Sequence, residues 1–234
     1  MAGKVYMAGF DGKPLINKIK GDGNKPFIGF WNYTVYLTYL GLTSAVIGMT
    51  QAVAHRNKYA LLCLIFAGTC DMFDGKIARH KKDRTEDEKL FGIQIDSLCD
   101  VICFGMLPAT IGFSMNNPRH KLLGTVASCL FVLAAVVRLA FFNVMEENRQ
   151  KVENGCRRYY QGLPVTSVAL ILPFVYCICH SINPDVLATT YSVAMIFISF
   201  LFVANIKVHK PGNFGVVVMT VIGLAVLASV ILVL

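Results

Sequence analysis

Long stretches without an ionised side chain divide this sequence and limit what it can fold into. Residues 32–54, 101–118, 122–137, 159–184, 186–206 and 216–234 contain no Asp, Glu, Lys or Arg. A helix needs about 20 apolar residues to cross a bilayer, and most of these stretches approach that length. The chain has 234 residues, of which 55% are hydrophobic and 15% are charged, whereas soluble domains carry about 25% charged residues. This composition excludes a disordered chain, disfavours a soluble globule and predicts a polytopic membrane protein.

Seven membrane spans are predicted, at residues 33–54, 59–80, 92–115, 121–144, 162–182, 186–206 and 215–234. Because lipid offers the backbone no hydrogen-bond partner, spans of this length are expected to be helices. The predicted fold class is therefore an all-α polytopic membrane protein. It comprises a bundle of about six core transmembrane helices, a seventh C-terminal helix and an N-terminal interfacial segment.

The connections between the spans are short, so we predict one membrane domain at residues 32–234 and a separate N-terminal segment at residues 1–31. From Phe10 to Lys25 this segment mixes apolar side chains with lysines. That mixture is typical of an amphipathic segment lying on anionic lipid. The same composition also fits a partly ordered basic tail.

The distribution of basic residues predicts the orientation in the membrane. With the N-terminus in the cytoplasm, the inside segments hold 17 of the 22 Lys and Arg residues and the outside loops hold 4, and Arg138 lies within a span. This asymmetry follows the positive-inside rule. The net charge of +8 then reflects topology and contact with lipid. No nucleic acid partner is expected, because no basic patch is interleaved with aromatic side chains in a soluble module.

Most of the eight cysteines fall inside the predicted spans, and no C-x2-C pair is present. Cys156 falls in a predicted cytoplasmic loop, where thiols stay reduced. We therefore expect free thiols. Cys99 and Cys103, which are four residues apart on one helix face, are expected to pack between helices as small residues.

Four aspartates lie where two predicted spans meet a short cytoplasmic loop. Asp71 and Asp74 are three residues apart near the end of the second span, and Asp96 and Asp100 are four residues apart near the start of the third. Each spacing places its pair on one helix face. Since the two helices are joined by a short loop, we expect them to be antiparallel neighbours that bring the four carboxylates together.

Such a cluster needs an explanation, because a carboxylate within a membrane costs roughly 2.5–3.5 kcal/mol even on the lenient insertion scale. Residues that cap helix ends and pair with the basic loop would explain one or two aspartates but fit four poorly. A divalent cation would offset the repulsion, and oxygen-rich sites suit Mg²⁺, Mn²⁺ or Ca²⁺. Gly75 and Gly92 each lie one turn from an aspartate and leave room for a ligand.

At these residues the chain resembles the CDP-alcohol phosphotransferase family, whose signature is D-x2-D-G-x2-A-R followed by G-x3-D-x3-D. All eight signature positions are present: Asp71, Asp74, Gly75, Ala78, Arg79, Gly92, Asp96 and Asp100. Within the family, residues 90–165 are most similar to membrane-type phosphatidylserine synthases. The supporting segments are Phe91-Gly92, Asp96-Ser97-Leu98, Phe104-Gly105, Pro108-Ala109, Arg138-Leu139-Ala140 with Asn143, and Gly162-Leu163-Pro164.

The resemblance implies an enzyme of phospholipid biosynthesis that transfers a phosphatidyl group from CDP-diacylglycerol to L-serine and releases CMP. It implies two Mg²⁺ or Mn²⁺ ions held by Asp71, Asp74, Asp96 and Asp100, with Asp100 also acting as the general base. It also implies a homodimer. The positions that it assigns to the nucleotide and diphosphate are Asp71, Gly75, Ala78, Arg79, Gly92, Asn32 and Thr34.

Three further arginines are candidates for binding lipid phosphate or the acceptor. Arg138 is preceded by sixteen residues without charge, and an arginine inside a membrane usually faces the bundle interior and meets an anion. That anion is either a ligand group or one of the aspartates. Arg157 and Arg158 precede the fifth span and either meet head groups or belong to a solvated basic loop.

Three alternative functions fit the same residues. The acceptor could be glycerol 3-phosphate, an inositol phosphate or another small alcohol, although phosphorylated acceptors would call for more cations near the site. An ion-coupled transporter also keeps aspartates in its helices, but normally near the midplane and in repeated halves. A catalytically silent lipid-binding member of the family would have less use for a base at Asp100.

Overall fold

The computed structural model describes residues 29, 33–80, 85–115, 121–152, 159–180, 184–209 and 213–233. Its α-helices are α1 (Tyr33–Val53), α2 (Asn57–His80), α3 (Glu86–Asp100), α4 (Leu107–Met115), α5 (Lys121–Val152), α6 (Val168–His180), α7 (Pro184–Val203) and α8 (Asn213–Val233). A π-helical segment, Val101–Met106, joins α3 to α4, and a 3-10 turn, Val165–Ser167, leads into α6. Each of the seven predicted spans overlaps one of these helical segments, and the predicted helical fold class is confirmed. The predicted N-terminal interfacial segment lies outside the described residues.

Three of the described helices are long and apolar enough to cross a membrane by length and composition: Glu88–Met115, Lys121–Glu146 and Val186–Val203. Two shorter apolar helices, Val165–His180 and Val221–Leu232, accompany them. The bundle surface carries large apolar side chains that are more than half exposed, such as Leu40, Leu133 and Phe197. Such a surface is stable when lipid replaces water around the bundle.

Small residues let the helices approach closely around the buried core. α1 packs along α2, α2 also contacts α6, and α5 packs along α7. A side chain on Gly48 would lie 2.8 Å from the Cβ of Cys63, and one on Gly68 would lie 2.6 Å from the Cβ of Ala169. Close contact at small residues is a general means of helix association in lipid, where the hydrophobic effect between helices is absent.

The π-helical segment accommodates Pro108 within a continuous helix. The backbone N–H of Leu107 donates to the carbonyl of Ile102, five residues earlier. In a regular α-helix the ring of Pro108 would clash with the carbonyl of Phe104, four residues earlier. The wider turn removes this conflict and keeps Cys103, Phe104 and Gly105 buried. π-bulges of this kind are frequent next to functional sites.

The helix of the third span, α3, begins before residue 92, where the span was predicted to start. Thr85 forms a capping box with Glu88: the Thr85 hydroxyl accepts from the Glu88 N–H, and Glu88 accepts from the Thr85 N–H. This motif satisfies two of the orphan donors at a helix start. The helix therefore begins at Glu86, in the charged segment before the apolar span.

The fifth span begins later than predicted because a two-stranded ribbon precedes it. Strand β1 (Tyr159–Gln161) pairs antiparallel with β2 (Lys207–His209), with Tyr160 opposite Val208. Gly162 follows at φ 73°, and its N–H donates to the carbonyl of Ile206 at 2.8 Å. The helical turns therefore start at Val165. This backbone pairing ties the connection before α6 to the one after α7.

The other end of the bundle is held by hydrogen bonds between the α1–α2 turn and α4. His55, whose φ is 57°, has its Nδ1 3.0 Å from the carbonyl of Ser114. The Ser114 hydroxyl lies 2.9 Å from the amide oxygen of Asn57 and donates to it. These contacts join α1, α2 and α4 at the end opposite the α2–α3 connection.

Candidate functional site

Three aspartates from two helices gather at one end of the bundle. Asp71 lies on α2, and Asp96 and Asp100 lie on α3, and each can offer a carboxylate oxygen within 4.8 Å of the oxygens of the other two. All three side chains are half-buried. The fold thus brings together aspartates up to 29 positions apart in the sequence.

Asp74 occupies a different position from the other three carboxylates. It lines the same cleft but is not one of the three whose oxygens come within 4.8 Å of one another. Its side chain is 7% exposed and accepts a hydrogen bond from the hydroxyl of Thr38, on α1, at 2.9 Å. The four aspartates are therefore arranged as a group of three and a neighbour that is anchored from another helix.

The cleft is bounded by α1, α2, α3 and the π-helical segment. Besides the four aspartates, its lining includes Thr38, Gly41, Phe104 and the thiols of Cys70, Cys99 and Cys103. Cys70, Cys99 and Cys103 are free, as are the other cysteines of the described residues. Cys99 and Cys103 are buried, as expected of small residues packed between helices.

Oxygen donors dominate the polar lining of the cleft. Carboxylate oxygens are the donors that Mg²⁺ and Mn²⁺ prefer, whereas the three thiols of the lining suit softer metals. The three convergent carboxylates repel one another when ionised, and a divalent cation would relieve that repulsion. The residues that are present therefore fit a divalent metal ion.

Arg138 lies on α5 near the aspartate group. Its side chain is 8% exposed, and its guanidinium carbon lies 5.9 Å from the ring centroid of Phe142. It is close enough to Asp100 to act on that carboxylate electrostatically. The sequence left open whether Arg138 meets a ligand group or an aspartate. In the structure, the aspartate Asp100 is near enough to interact with it electrostatically.

A second contact connects α5 to the site helix α3. The hydroxyl of Ser97 donates to the amide oxygen of Asn143 at 2.9 Å. Ser97 lies between Asp96 and Asp100 in the sequence. The bond therefore holds the aspartate-bearing turn of α3 against α5.

The structure describes the other predicted site residues only in part. Gly75 is exposed in α2, with open space where a Cβ would lie, and Gly92 is half-buried in α3. Thr34, Ala78 and Arg79 lie within α1 and α2, but their side chains fall outside the described part of the chain. Asn32, Arg157 and Arg158 lie outside the described residues altogether.

The sequence analysis did not identify Thr38 as a site residue. It lies in the apolar run of α1, 36 residues before Asp74. A threonine in a transmembrane helix usually bonds to its own backbone, so sequence alone offered no sign of this contact.

A profile of the CDP-alcohol phosphatidyltransferase family matches residues 31–204 of the chain. The chain belongs to this family. The match covers α1 to α7 and includes the whole aspartate signature, and it confirms the resemblance that residues 71–100 indicated.

Several curated proteins are similar to this member of the family. A CDP-diacylglycerol–serine O-phosphatidyltransferase of Saccharomyces cerevisiae is 30% identical over 154 residues, covering 65% of this chain and 50% of the yeast protein. The protein of that name from Helicobacter pylori strain 26695 is 27% identical over 148 residues, covering 62% and 55%. That of Methanocaldococcus jannaschii is 26% identical over 175 residues, covering 75% and 74%. The chain thus spans about half the length of the first two relatives.

Proposed function

We propose that this protein transfers a phosphatidyl group from CDP-diacylglycerol to L-serine, forming phosphatidylserine and releasing CMP. The observation that carries the proposal is the convergence of the Asp71, Asp96 and Asp100 carboxylates in a cleft at one end of the bundle. The names of the similar proteins support serine as the acceptor. Glycerol 3-phosphate, an inositol phosphate and other small alcohols are the acceptors against which this choice is tested.

Asp71, Asp96 and Asp100, together with Asp74, would hold two Mg²⁺ or Mn²⁺ ions. Bound divalent ions would neutralise the diphosphate and stabilise the leaving CMP oxygen. In the transfer, the serine hydroxyl oxygen forms a bond to the phosphorus that carries the diacylglycerol, and the bond from that phosphorus to the CMP oxygen breaks. Asp100 accepts the hydroxyl proton as the general base.

Arg138 and the glycines have distinct proposed roles around the aspartates. The positive charge of Arg138 lies near Asp100 and, with Arg157 and Arg158, would attract lipid phosphate or the serine carboxylate. Gly75 is exposed and has open space around it, so the nucleotide can approach the backbone there. The full proposed nucleotide and diphosphate set is Asp71, Gly75, Ala78, Arg79, Gly92, Asn32 and Thr34.

The site is proposed to face the cytoplasm. The basic residues are concentrated at the N-terminus and in the connections between α2 and α3, α5 and α6, and α7 and α8. By the positive-inside rule these segments are cytoplasmic, and the aspartate cluster lies at the α2–α3 end. The multi-pass protein would act as a homodimer in the bilayer.

The test is CMP release by the purified protein in detergent with CDP-diacylglycerol and Mn²⁺ or Mg²⁺, each acceptor being offered alone. We expect release with serine, and a loss of about 10²–10⁴-fold in Asp100→Asn, because that is the usual contribution of a positioned base. The matched control is Asp185→Asn, the same chemical change in the first turn of α7, which should retain activity.

Release with another alcohol but not with serine would overturn the choice of acceptor. Full activity of Asp100→Asn would remove Asp100 from the chemistry. No CMP release with any acceptor would overturn the transferase proposal.

A further inference from the structure

The hydrogen bond between Thr38 and Asp74 links the candidate site to a helix outside the aspartate signature. The Thr38 hydroxyl donates to Oδ2 of Asp74 at 2.9 Å, and the two side chains are 9% and 7% exposed. Hydrogen bonds to an ionised carboxylate are shorter and roughly twice as strong as those between neutral groups. The bond therefore restrains the orientation of the Asp74 carboxylate from the α1 side.

Other threonines of α1 use their hydroxyl groups differently. The Thr43 hydroxyl donates to the carbonyl of Tyr39 at 2.8 Å, and that of Thr50 donates to the carbonyl of Ile47 at 2.7 Å. Such bonds to the same helix are the usual arrangement for threonine in an apolar helix. Thr38 instead donates to a side chain of the neighbouring helix, within the cleft that holds the aspartate group.

The bond still leaves Asp74 able to bind a cation. An ionised carboxylate has about four lone-pair sites on its two oxygens, so accepting one hydroxyl leaves most of its acceptor capacity. Asp74 is thus held by α1 while it lines the cleft.

We propose that Thr38 is a positioning residue that orients Asp74 as a ligand of the divalent metal centre. This inference rests on the metal site of the proposed function. Groups that hydrogen-bond to a metal ligand fix its orientation, and their loss typically costs 10–100-fold in metal affinity or activity. Thr38 would act on the metal through Asp74 and would not itself touch the reacting atoms.

A purely structural role for Thr38 makes a different prediction. α1 packs along α2 over much of its length, and a side chain at Gly41 would lie 3.5 Å from the Cβ of Cys70, near the same cleft. If the hydroxyl only joined the two helices, its removal would lower the unfolding temperature and leave the metal affinity unchanged. The deciding quantity is therefore metal affinity measured on folded protein.

The experiment titrates Mn²⁺ against the purified full-length protein in detergent, without substrate, and follows the rise in unfolding temperature. Thr38→Val keeps the shape of the side chain but removes the donor, and we expect it to raise the Mn²⁺ midpoint about 10–100-fold. Thr38→Ser keeps the donor and should remain close to the wild type. Thr43→Val, on the same helix, loses a hydroxyl that bonds only to backbone and should leave the midpoint unchanged.

A double-mutant cycle then tests whether Thr38 acts through Asp74. In an Asp74→Ala background, Thr38→Val should cause little further change in the Mn²⁺ midpoint, because the group that it orients is gone. Equal midpoints for Thr38→Val and the wild type, or an undiminished effect in the Asp74→Ala background, would overturn the proposal. If Thr38→Val does not fold, Thr38→Ala replaces it as the variant without a donor. A Mn²⁺ midpoint for Thr38→Ser as weak as that for Thr38→Ala would then overturn the positioning proposal.

The titration also separates this inference from the proposed transferase activity. A weakened midpoint in Thr38→Val, without serine-dependent CMP release by any variant, would support the positioning role and overturn serine transfer. Absence of any Mn²⁺ response in the wild-type protein would overturn the metal centre and the positioning role together.

Discussion

Replacing Gly68 by alanine tests the closest helix contact next to the site. Gly68 lies on α2, and a Cβ at this position would lie 2.6 Å from the Cβ of Ala169 on α6 and 3.8 Å from Cε1 of Phe104. Carbon atoms in unstrained contact are about 3.5–4.0 Å apart. α2 and α6 would therefore have to separate by about 1 Å to accommodate the added methyl group.

The structure allows the cost of this separation to be estimated. Overpacking a well-packed core typically costs about 1–3 kcal/mol. In a chain of this size each kcal/mol lowers the unfolding temperature by about 2–4 °C, which gives an expected decrease of about 2–12 °C for Gly68→Ala. Asp71 lies one turn further along α2, and a 1 Å displacement of a catalytic group can cost about 10²-fold in rate.

The assay is thermal unfolding in detergent, with CMP release measured on the same samples. The matched control is Gly75→Ala on the same helix, because a Cβ there would meet nothing within 4 Å. That variant should keep or slightly exceed the wild-type unfolding temperature, because alanine is favoured over glycine in a helix interior by up to about 1 kcal/mol. Its added methyl group would hinder the nucleotide proposed to bind there.

A second substitution tests the named contact directly. Ala169→Gly removes the atom that the new methyl group would strike, so Gly68→Ala combined with Ala169→Gly should recover most of the lost stability. Glycine in a helix interior costs about 1 kcal/mol relative to alanine, and the double variant only moves that glycine from position 68 to position 169, so its stability should be close to that of the wild type. Wild-type stability of Gly68→Ala, or no recovery in the double variant, would refute the reasoning.

Two further predictions concern single positions away from the aspartate group. Gly162 has a φ of 73°, and a Cβ there would lie 2.8 Å from the carbonyl oxygen of Phe202; Gly162→Ala should therefore lower stability by about 1–3 kcal/mol, and an unchanged unfolding temperature would contradict this. The hydroxyl of Tyr191 is fully buried, with no hydrogen-bond partner among the described residues. Tyr191→Phe should leave the free energy of unfolding unchanged or increase it by up to about 1–3 kcal/mol, and the unfolding temperature should stay the same or rise accordingly. A clear decrease in the unfolding temperature would show that the hydroxyl has a stabilising partner.

The helices and the separate faces of the aspartate pairs could be predicted from the sequence because both depend on local pattern. An apolar run of sufficient length must be helical in lipid, and spacings of three and four residues place Asp71 with Asp74, and Asp96 with Asp100, on one helix face. The capping box of Thr85 and Glu88 is also a local pattern. The capping box places the start of α3 at Glu86, whereas the extent of the apolar span predicts a start at residue 92.

The arrangement of the site could not be predicted in the same way. The prediction of one convergent set of four carboxylates is refined by the structure, in which three gather and Asp74 is bound by Thr38. Likewise, the approach of Arg138 to Asp100 depends on how α5 packs against α3. These contacts join residues 36 and 38 positions apart, and no periodicity within one helix encodes them.

The sequence by itself therefore determined that this is a helical membrane protein with acidic clusters at the junction of two spans, and it contained the signature of its family. Only the tertiary structure decided which carboxylates converge, which one is anchored by α1, and where a ribbon and a π-helical turn interrupt the regular helices. The physical reason is that helix formation and membrane burial depend on neighbours within a turn or along one apolar run. Contacts between helices depend instead on the close approach that residues such as Gly68 and Ala169 permit.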